Sequence, residues 1–167
     1  KQKGYNTVIQ MDADGQHDPA YLLEMLKEIQ NTDVDVVIGS RFLEDNAYKT
    51  TISKRLGMVL FGLLTSLITK MRITDPTSGF QVLKGDVIDF MSQDLYPPDY
   101  PDADMIILLN RAGFKIKEVP VKMRSNPKHA KSMHRGHKTI YYVLKMLLSI
   151  IVTVLRVTPK RRNSNAA

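Results

Sequence analysis

The chain takes its architecture from one segment near its start, Val8-Ile9-Gln10-Met11-Asp12-Ala13-Asp14-Gly15-Gln16-His17-Asp18-Pro19. The apolar residues at the beginning of this segment predict a buried strand, and the Asp-Ala-Asp-Gly turn ends it. Asp18 and Pro19 are an N-cap and a first-turn residue for the helix that follows. Asp12 and Asp14 are therefore expected on a loop at the carboxyl end of a strand, where open α/β sheets place their ligands.

Two carboxylates one residue apart on a turn favour a hard divalent cation, because Mg²⁺ and Mn²⁺ prefer oxygen ligands. The predicted ligands are Asp12, Asp14 and the side-chain oxygen of Gln16, and His17 is a further nitrogen candidate. The open alternative is an acidic, solvated turn in which Asp18 is only a helix cap, since a motif this short has frequent false matches.

Three further motifs follow along the chain, each beside a predicted strand. Gly39-Ser40-Arg41-Phe42 comes after the β-branched run 34–39, and Asp75-Pro76-Thr77-Ser78-Gly79-Phe80 is a turn that enters a strand. Glu118-Val119-Pro120-Val121 ends a strand that begins near Phe114. A helix between the first two strands gives the strand–helix–strand order of an α/β sheet.

Together the four blocks resemble the family 2 glycosyltransferases of the GT-A fold, over residues 6 to about 124. Within that family they are most similar to the polyprenyl-phosphate sugar transferases, the dolichyl-phosphate mannosyltransferase group. The resemblance implies an α/β, partial GT-A (nucleotide-diphospho-sugar transferase) fold: a mixed sheet flanked by helices, with a C-terminal apolar helix. It also implies an earlier βαβ region for the nucleotide base and ribose, so the chain is expected to be the C-terminal part of a larger transferase.

The function that this resemblance implies is metal-dependent, inverting transfer of a sugar from a nucleotide-sugar donor to a polyprenyl phosphate. Asp12 and Asp14 would be catalytic through the metal. A lipid phosphate is already anionic and needs no general base, so a cation and basic side chains would do the electrostatic work. One alternative is a saccharide hydroxyl acceptor in cell-surface polysaccharide synthesis, with Asp104 or Asp102 as the base. Another is a truncated membrane-surface module without turnover.

Basic side chains are the candidates for substrate phosphates, because a planar guanidinium gives paired hydrogen bonds to phosphate oxygens. We predict phosphate binding by Arg41, Arg55, Arg124 and Lys131. The alternatives are a surface Arg41 paired with Glu44 or Asp45, and a solvated basic loop around the last two. The resemblance further implies that Asp75 and Ser78 line the acceptor side.

The charge is unevenly distributed along the 167 residues, whose net charge is +7. Residues 1–50 hold five Lys/Arg and nine Asp/Glu, whereas the remainder holds nineteen and eight. A basic second half favours a polyanionic substrate or an anionic membrane surface. Nucleic acid is not expected, because the aromatic residues do not alternate with the basic ones as a stacking platform requires. With no cysteine, disulfides and thiolate metal sites are excluded.

Two apolar helices are predicted, over 53–71 and 139–157. Lys145 interrupts the second, so we prefer a helix that lies in the membrane interface to one that spans the bilayer; a core or dimer helix is the alternative. The predicted divisions are a catalytic part over 1–137, this helix over 138–157 and a basic, disordered tail over 158–167. The expected location is the cytoplasmic face of a membrane, peripheral or anchored by the last helix, and the oligomeric state is left open.

Overall fold

The computed structural model describes residues 4–43, 52–93, 102–124 and 137–161. Its strands are β1 (Thr7–Gln10), β2 (Val36–Ser40), β3 (Gln81–Lys84) and β4 (Ile116–Pro120). Its α-helices are α1 (Leu22–Asn31), α2 (Ile52–Thr69), α3 (Gly85–Met91), α4 (Ala103–Ala112) and α5 (His137–Leu155). A short 3-10 helix, Pro19–Tyr21, precedes α1, and Asp18 caps it through Ala20 as predicted.

The four strands form one mixed sheet in the order β1-β3-β2-β4. β3 is antiparallel to β1 and β2, and β4 is parallel to β2. The carboxyl ends of β1, β2 and β4 and the amino end of β3 therefore lie at the same edge of the sheet, called the carboxyl edge below. This arrangement confirms the predicted mixed α/β sheet, with helices on both of its faces.

The prediction that the first strand is buried is wrong. β1 is the outer strand of the sheet and pairs with β3 alone among the described residues. Val8 and Ile9 remain 38% and 37% exposed. An edge strand has one neighbour in place of two, so an apolar run there is only partly covered.

Two apolar cores cover the two faces of the sheet. On one face α1 contributes Met25 and Ile29, which pack with Phe80 and with the β-branched residues of the strands. On the other face α3 and α4 pack against β2 and β3. A third cluster joins the far side of α4 to α2 and α5, where Phe61 and Met146 meet. α4 is consequently buried almost all round, because the sheet covers one side and two helices cover the other.

The expectation of a C-terminal apolar helix needs correction. α5 buries Met146 and Ile150 against α4, but its inner side also carries Ser149 and Thr153, which are polar, and Lys145 interrupts its apolar run. Within the part of the chain that the structure describes, no helix combines the length and the apolar character needed to cross a bilayer.

The segment after α5 returns over the sheet. Arg161 donates from Nη1 to Asp35 at 2.9 Å, and its backbone N–H donates to the carbonyl of Ala112 at 2.9 Å. Thr158 accepts a hydrogen bond from Arg111. Residues 158–161 of the predicted tail thus contact the domain, and the rest of that tail lies outside the described residues.

Candidate active site at the carboxyl edge of the sheet

The loop after β1 presents two carboxylates to solvent. Asp12 and Asp14 are both exposed, and Gly15 allows the turn between them and the helix through its positive φ of 79°. The backbone N–H of Gln16 donates to Asp14 Oδ1 at 2.9 Å, and its side-chain Nε2 donates to Oδ2. Gln16 therefore orients the Asp14 carboxylate while leaving it accessible.

His17 holds this loop against the sheet. Its ring is buried and stacks on Phe80, with ring centroids 4.9 Å apart, and its Nδ1 accepts the backbone N–H of Asp12 at 3.0 Å. Burial lowers the pKa of His17, although the carboxylates of Asp12 and Asp14 act in the opposite direction. The neutral ring with an acceptor at Nδ1 is thus favoured, and His17 positions the loop.

In the described ranges, no three His, Asp or Glu side chains come close enough together to enclose a metal ion. The predicted set of Asp12, Asp14 and Gln16 combines two carboxylates with one amide, and these residues do share one short loop. Their role as metal ligands remains a prediction.

Arg41 follows β2 at the same edge and is bound to Asp75. Its Nε donates to Asp75 Oδ2 at 2.7 Å, its Nη2 donates to Oδ1 at 2.6 Å, and its backbone N–H donates to Oδ2 at 3.0 Å. Nη2 also donates to Thr77. Asp75 is 0% exposed and is an internal partner of Arg41; its place on the acceptor side stays a prediction.

Glu118 accepts a hydrogen bond from the backbone at Asp75. It lies on β4 opposite Ile38, and its buried carboxylate accepts the backbone N–H groups of both Thr74 and Asp75, the latter at 2.7 Å. Thr74 Oγ1 donates to it as well, at 2.8 Å. Burial raises the pKa of Glu118, and the hydrogen bonds from residues 74 and 75 oppose that rise. The carboxylate thereby fixes the start of the 74–79 turn.

The far end of the 74–79 turn meets the first loop. Ser78 is buried and its Oγ donates to the carbonyl of Gly39 at 2.6 Å, so it joins this turn to β2; its place on the acceptor side stays a prediction. A Cβ atom on Gly79 would lie 3.1 Å from Asp12 Oδ2. The absence of a side chain at Gly79 therefore leaves room for the Asp12 carboxylate.

The remaining predicted phosphate ligands are placed differently from one another. Arg124 lies beside the first loop, since its backbone N–H donates to the carbonyl of Gln16 at 2.9 Å and its Nη2 lies 3.5 Å from Asp18 Oδ2. Its side chain is 73% exposed and so accessible to a ligand. Arg55 is exposed on α2 and lines a cavity away from that loop. Lys131 lies outside the described residues.

Both candidate bases are engaged in hydrogen bonds within the protein. Asp104 is 2% exposed, and its carboxylate accepts Ser149 Oγ of α5 and the backbone N–H groups of residues 102 and 105. Asp102 accepts the hydroxyl of Tyr142. Asp104 lies in the first turn of α4 and joins that helix to α5, and its predicted catalytic role remains a prediction.

The raised pKa of Asp102 predicts a pH dependence of folding stability. Burial raises the pKa of Asp102 from 3.8 to about 6, against the hydrogen bond from Tyr142, and Asp104 raises it further. The folded state therefore holds the proton more tightly than the unfolded state, so stability is full below pH 3.8 and is lost as the pH rises through about 6. Asp102→Asn keeps an acceptor for Tyr142 without the charge.

We expect the melting temperature of Asp102→Asn, minus that of the wild type, to be larger at about pH 7.5 than at about pH 4. Thermal unfolding of both proteins at the two pH values measures it. Asp86→Asn, an exposed acid on α3, is the matched control and is expected to show no such change. A difference that shrinks as the pH rises would contradict the assignment.

Sequence reasoning missed two residues of this edge. Glu118 was identified only as part of a motif, and its hydrogen bonds to the turn that binds Arg41 were not predicted. The available signal was an acidic residue within a predicted strand. Arg72 was not considered; it is exposed, follows α2, and lines the same cavity as Arg55. Its basic charge after a helix C-terminus was the signal, although that pattern is common on surfaces.

Known sequences are similar to this chain over more than half of its length. Residues 3–90 match the sequence profile described as glycosyl transferase family 2. An uncharacterized protein of Methanocaldococcus jannaschii is 32% identical over 117 residues, which are 69% of this chain and 48% of that protein.

Two relatives with named activities are similar over the same region. A UDP-N-acetylglucosamine--dolichyl-phosphate N-acetylglucosaminyltransferase of Methanococcus voltae is 26% identical over 121 residues, which cover 71% of this chain and 48% of the relative. A dolichol-phosphate mannosyltransferase of Pyrococcus furiosus is 29% identical over 157 residues, which cover 87% and 42%. The chain thus spans about half the length of these curated relatives.

Proposed function

The chain belongs to glycosyl transferase family 2, and from that premise we propose that the full-length protein transfers a sugar from a nucleotide-sugar donor to a polyprenyl phosphate, with inversion. The observation that carries the proposal is the carboxyl edge. There Asp12 and Asp14 are exposed on one loop, Arg124 adjoins that loop through Gln16 and Asp18, and Arg41 follows β2 at the same edge. The printed names of the relatives from M. voltae and P. furiosus, which act with dolichyl phosphate, support the acceptor class.

We propose that Asp12, Asp14 and the Gln16 side-chain oxygen hold Mg²⁺ or Mn²⁺. The donor set fits such an ion, because these cations take oxygen ligands and Mg²⁺ commonly uses only one or two protein carboxylates, completing its shell with water and substrate phosphate. When bound, the ion would neutralise the negative charge of the departing diphosphate. Gln16 donates to the Asp14 carboxylate and His17 accepts the backbone N–H of Asp12, so these two residues hold the loop that carries both carboxylates.

The acceptor side of the proposal rests on a cavity of about 300 Å³ between α2 and residues 72–74. Most of its wall is apolar, formed by side chains of α2 such as Met58 and Leu63, and Arg55 and Arg72 stand in the same lining. An apolar wall with two guanidinium groups complements a molecule that joins a hydrocarbon chain to a phosphate. A polyprenyl phosphate has this composition, and a saccharide does not.

Catalysis with this acceptor requires no general base from the chain. A phosphate monoester is ionised at neutral pH and is itself the nucleophile, whereas a sugar hydroxyl must lose a proton to a base. Asp104 is buried and accepts Ser149, and Asp102 accepts the hydroxyl of Tyr142, so both carboxylates are engaged in internal hydrogen bonds. This supports the phosphate acceptor over the saccharide alternative.

Transfer by the full-length protein and by its Asp104→Asn variant tests the proposal. With Mn²⁺, UDP- or GDP-sugar donors and a short polyprenyl phosphate, we expect both proteins to form lipid-linked sugar at rates within about threefold of each other, since Asp104 removes no proton. A saccharide acceptor is supplied in a parallel assay. Transfer to the saccharide alone, abolished in Asp104→Asn, would establish the alternative.

The proposed location is the cytoplasmic face of a membrane, reached through the outer sides of α2 and α5. Exposed apolar residues recur at helical spacing on both helices, and we call this set the apolar face: Leu56, Leu60, Leu63 and Leu67 on α2, and Tyr141, Leu144, Leu148, Ile151 and Leu155 on α5. The two helices touch through Phe61 and Tyr142, so the two rows are neighbours. Exposed basic residues, among them Lys70 and Arg156, lie at helix ends and suit anionic headgroups.

A further inference from the structure

The 74–79 turn connects the two charged halves of the carboxyl edge. At its start Asp75 holds Arg41 through a two-pronged ion pair with distances of 2.6 and 2.7 Å. At its end the backbone of Gly79 adjoins the Asp12 carboxylate. A displacement of this turn would therefore move the cation and the acid relative to each other.

Glu118 anchors the start of this turn from inside the protein. Glu118 accepts the backbone N–H groups of residues 74 and 75 at distances between 2.7 and 3.0 Å, and it accepts the Thr74 hydroxyl as well. Thr74 Oγ1 is also 2.6 Å from Ser40 Oγ, which ties the same point to the end of β2. Charged acceptors make stronger hydrogen bonds than neutral ones, so a carboxylate is a firmer anchor here than an amide.

Arg41, whose position depends on the contacts of Glu118, borders a cavity. Arg41 lines a cavity of about 240 Å³ together with Ser40 and Lys122. The two-pronged pair with buried Asp75 also restricts the guanidinium to a single orientation.

We propose that Glu118 is a positioning residue for sugar transfer: by fixing the backbone of residues 74 and 75 it sets, through Asp75, the place of the Arg41 guanidinium relative to Asp12. Glu118 does not touch substrate. The inference rests on the proposed function, because it assigns Arg41 to the diphosphate of the donor. Transfer would thus depend on Glu118 in addition to the residues predicted to bind the metal and the substrate.

The test is a double-mutant cycle of Glu118→Gln with Arg41→Lys in the full-length protein, measured as kcat/KM for transfer. Gln presents an amide N–H₂ to donors and loses the charge, so the single variant is expected to lower kcat/KM about tenfold. In the Arg41→Lys background the same change is expected to cost less than about twofold, because the bidentate pair is already lost. Losses that multiply would mean a general structural effect and would overturn the proposal.

Two controls keep the outcome decisive. Glu28→Gln removes an exposed ion pair with Lys117 of β4 and is expected to leave kcat/KM unchanged. If Glu118→Gln fails to fold, Thr74→Val, which removes the hydroxyl that donates to Glu118 and contacts Ser40, replaces it in the same cycle. Nucleoside diphosphate binding with Mn²⁺ is measured for every protein: if the wild type binds but does not transfer, the proposed acceptor is wrong, and the same non-additivity is then sought in the binding constant.

Discussion

Asp12→Asn and Asp14→Asn will each lower the kcat/KM of sugar transfer by at least about a hundredfold, while the fold is retained. Both side chains are exposed and neither lies in an apolar core, so an isosteric amide costs little stability. Each amide removes a negative charge from the position where a cation must be held against a diphosphate. The loss is expected in kcat as well as in KM, because charge develops on the leaving group in the transition state.

The measurement is steady-state transfer at several Mn²⁺ concentrations, with thermal unfolding to check the fold. Asp86→Asn on α3 again serves as the matched exposed acid, and its kcat/KM should equal that of the wild type. Raising the Mn²⁺ concentration should partly restore kcat/KM in the less active of the two Asp variants. Full activity of both variants would remove the catalytic assignment of this loop.

Replacing Leu63 and Leu148 together by Asp will abolish binding to vesicles that contain anionic lipid, with an expected loss of more than about a hundredfold in the partition coefficient. These leucines are 60% and 62% exposed, one on each helix of the apolar face. Each substitution removes roughly 1.5–3 kcal/mol of apolar burial in the interface. The new carboxylates would also be repelled by anionic headgroups.

Leu23→Asp is the matched control, since Leu23 is 70% exposed but lies on α1, across the sheet from α2 and α5. Sedimentation with vesicles of defined composition measures all three proteins. Equal binding by the wild type and the double variant would show that the apolar face does not contact lipid. Loss of binding in Leu23→Asp would instead locate the contact on α1.

The strands and most helices were predictable because their apolar periodicity is local. Helices predicted over 53–71 and 139–157 are α2 and α5, with shifts of about two residues at their ends. The exposure of β1 was not predictable, because strand order depends on partners far along the chain. Val8 and Ile9 are β-branched apolar residues of the same kind as those in the fully buried β2. Only the sheet order distinguishes an outer strand from a central one.

The site was predictable as a set of residues but not as a set of contacts. Arg41 and Asp75 were both singled out, one for phosphate and one for the acceptor, although they are 34 positions apart and bind each other. Likewise Asp104 begins a helix as an acidic residue often does, and its burial comes from Ser149 on a helix 45 positions later. Spacing along a chain does not reveal pairs of this kind, because they are formed by the packing of whole elements.

The central claim is that one cation, held by the loop after β1, binds the diphosphate of the donor. Calorimetric titration of the full-length protein with Mn²⁺, in the presence and absence of UDP or GDP, tests it most directly. We predict at least about tenfold tighter Mn²⁺ binding when the nucleoside diphosphate is present, and no such linkage in Asp12→Asn or Asp14→Asn. Mn²⁺ binding that is unaffected by the nucleotide, or equal in the wild type and both variants, would contradict it.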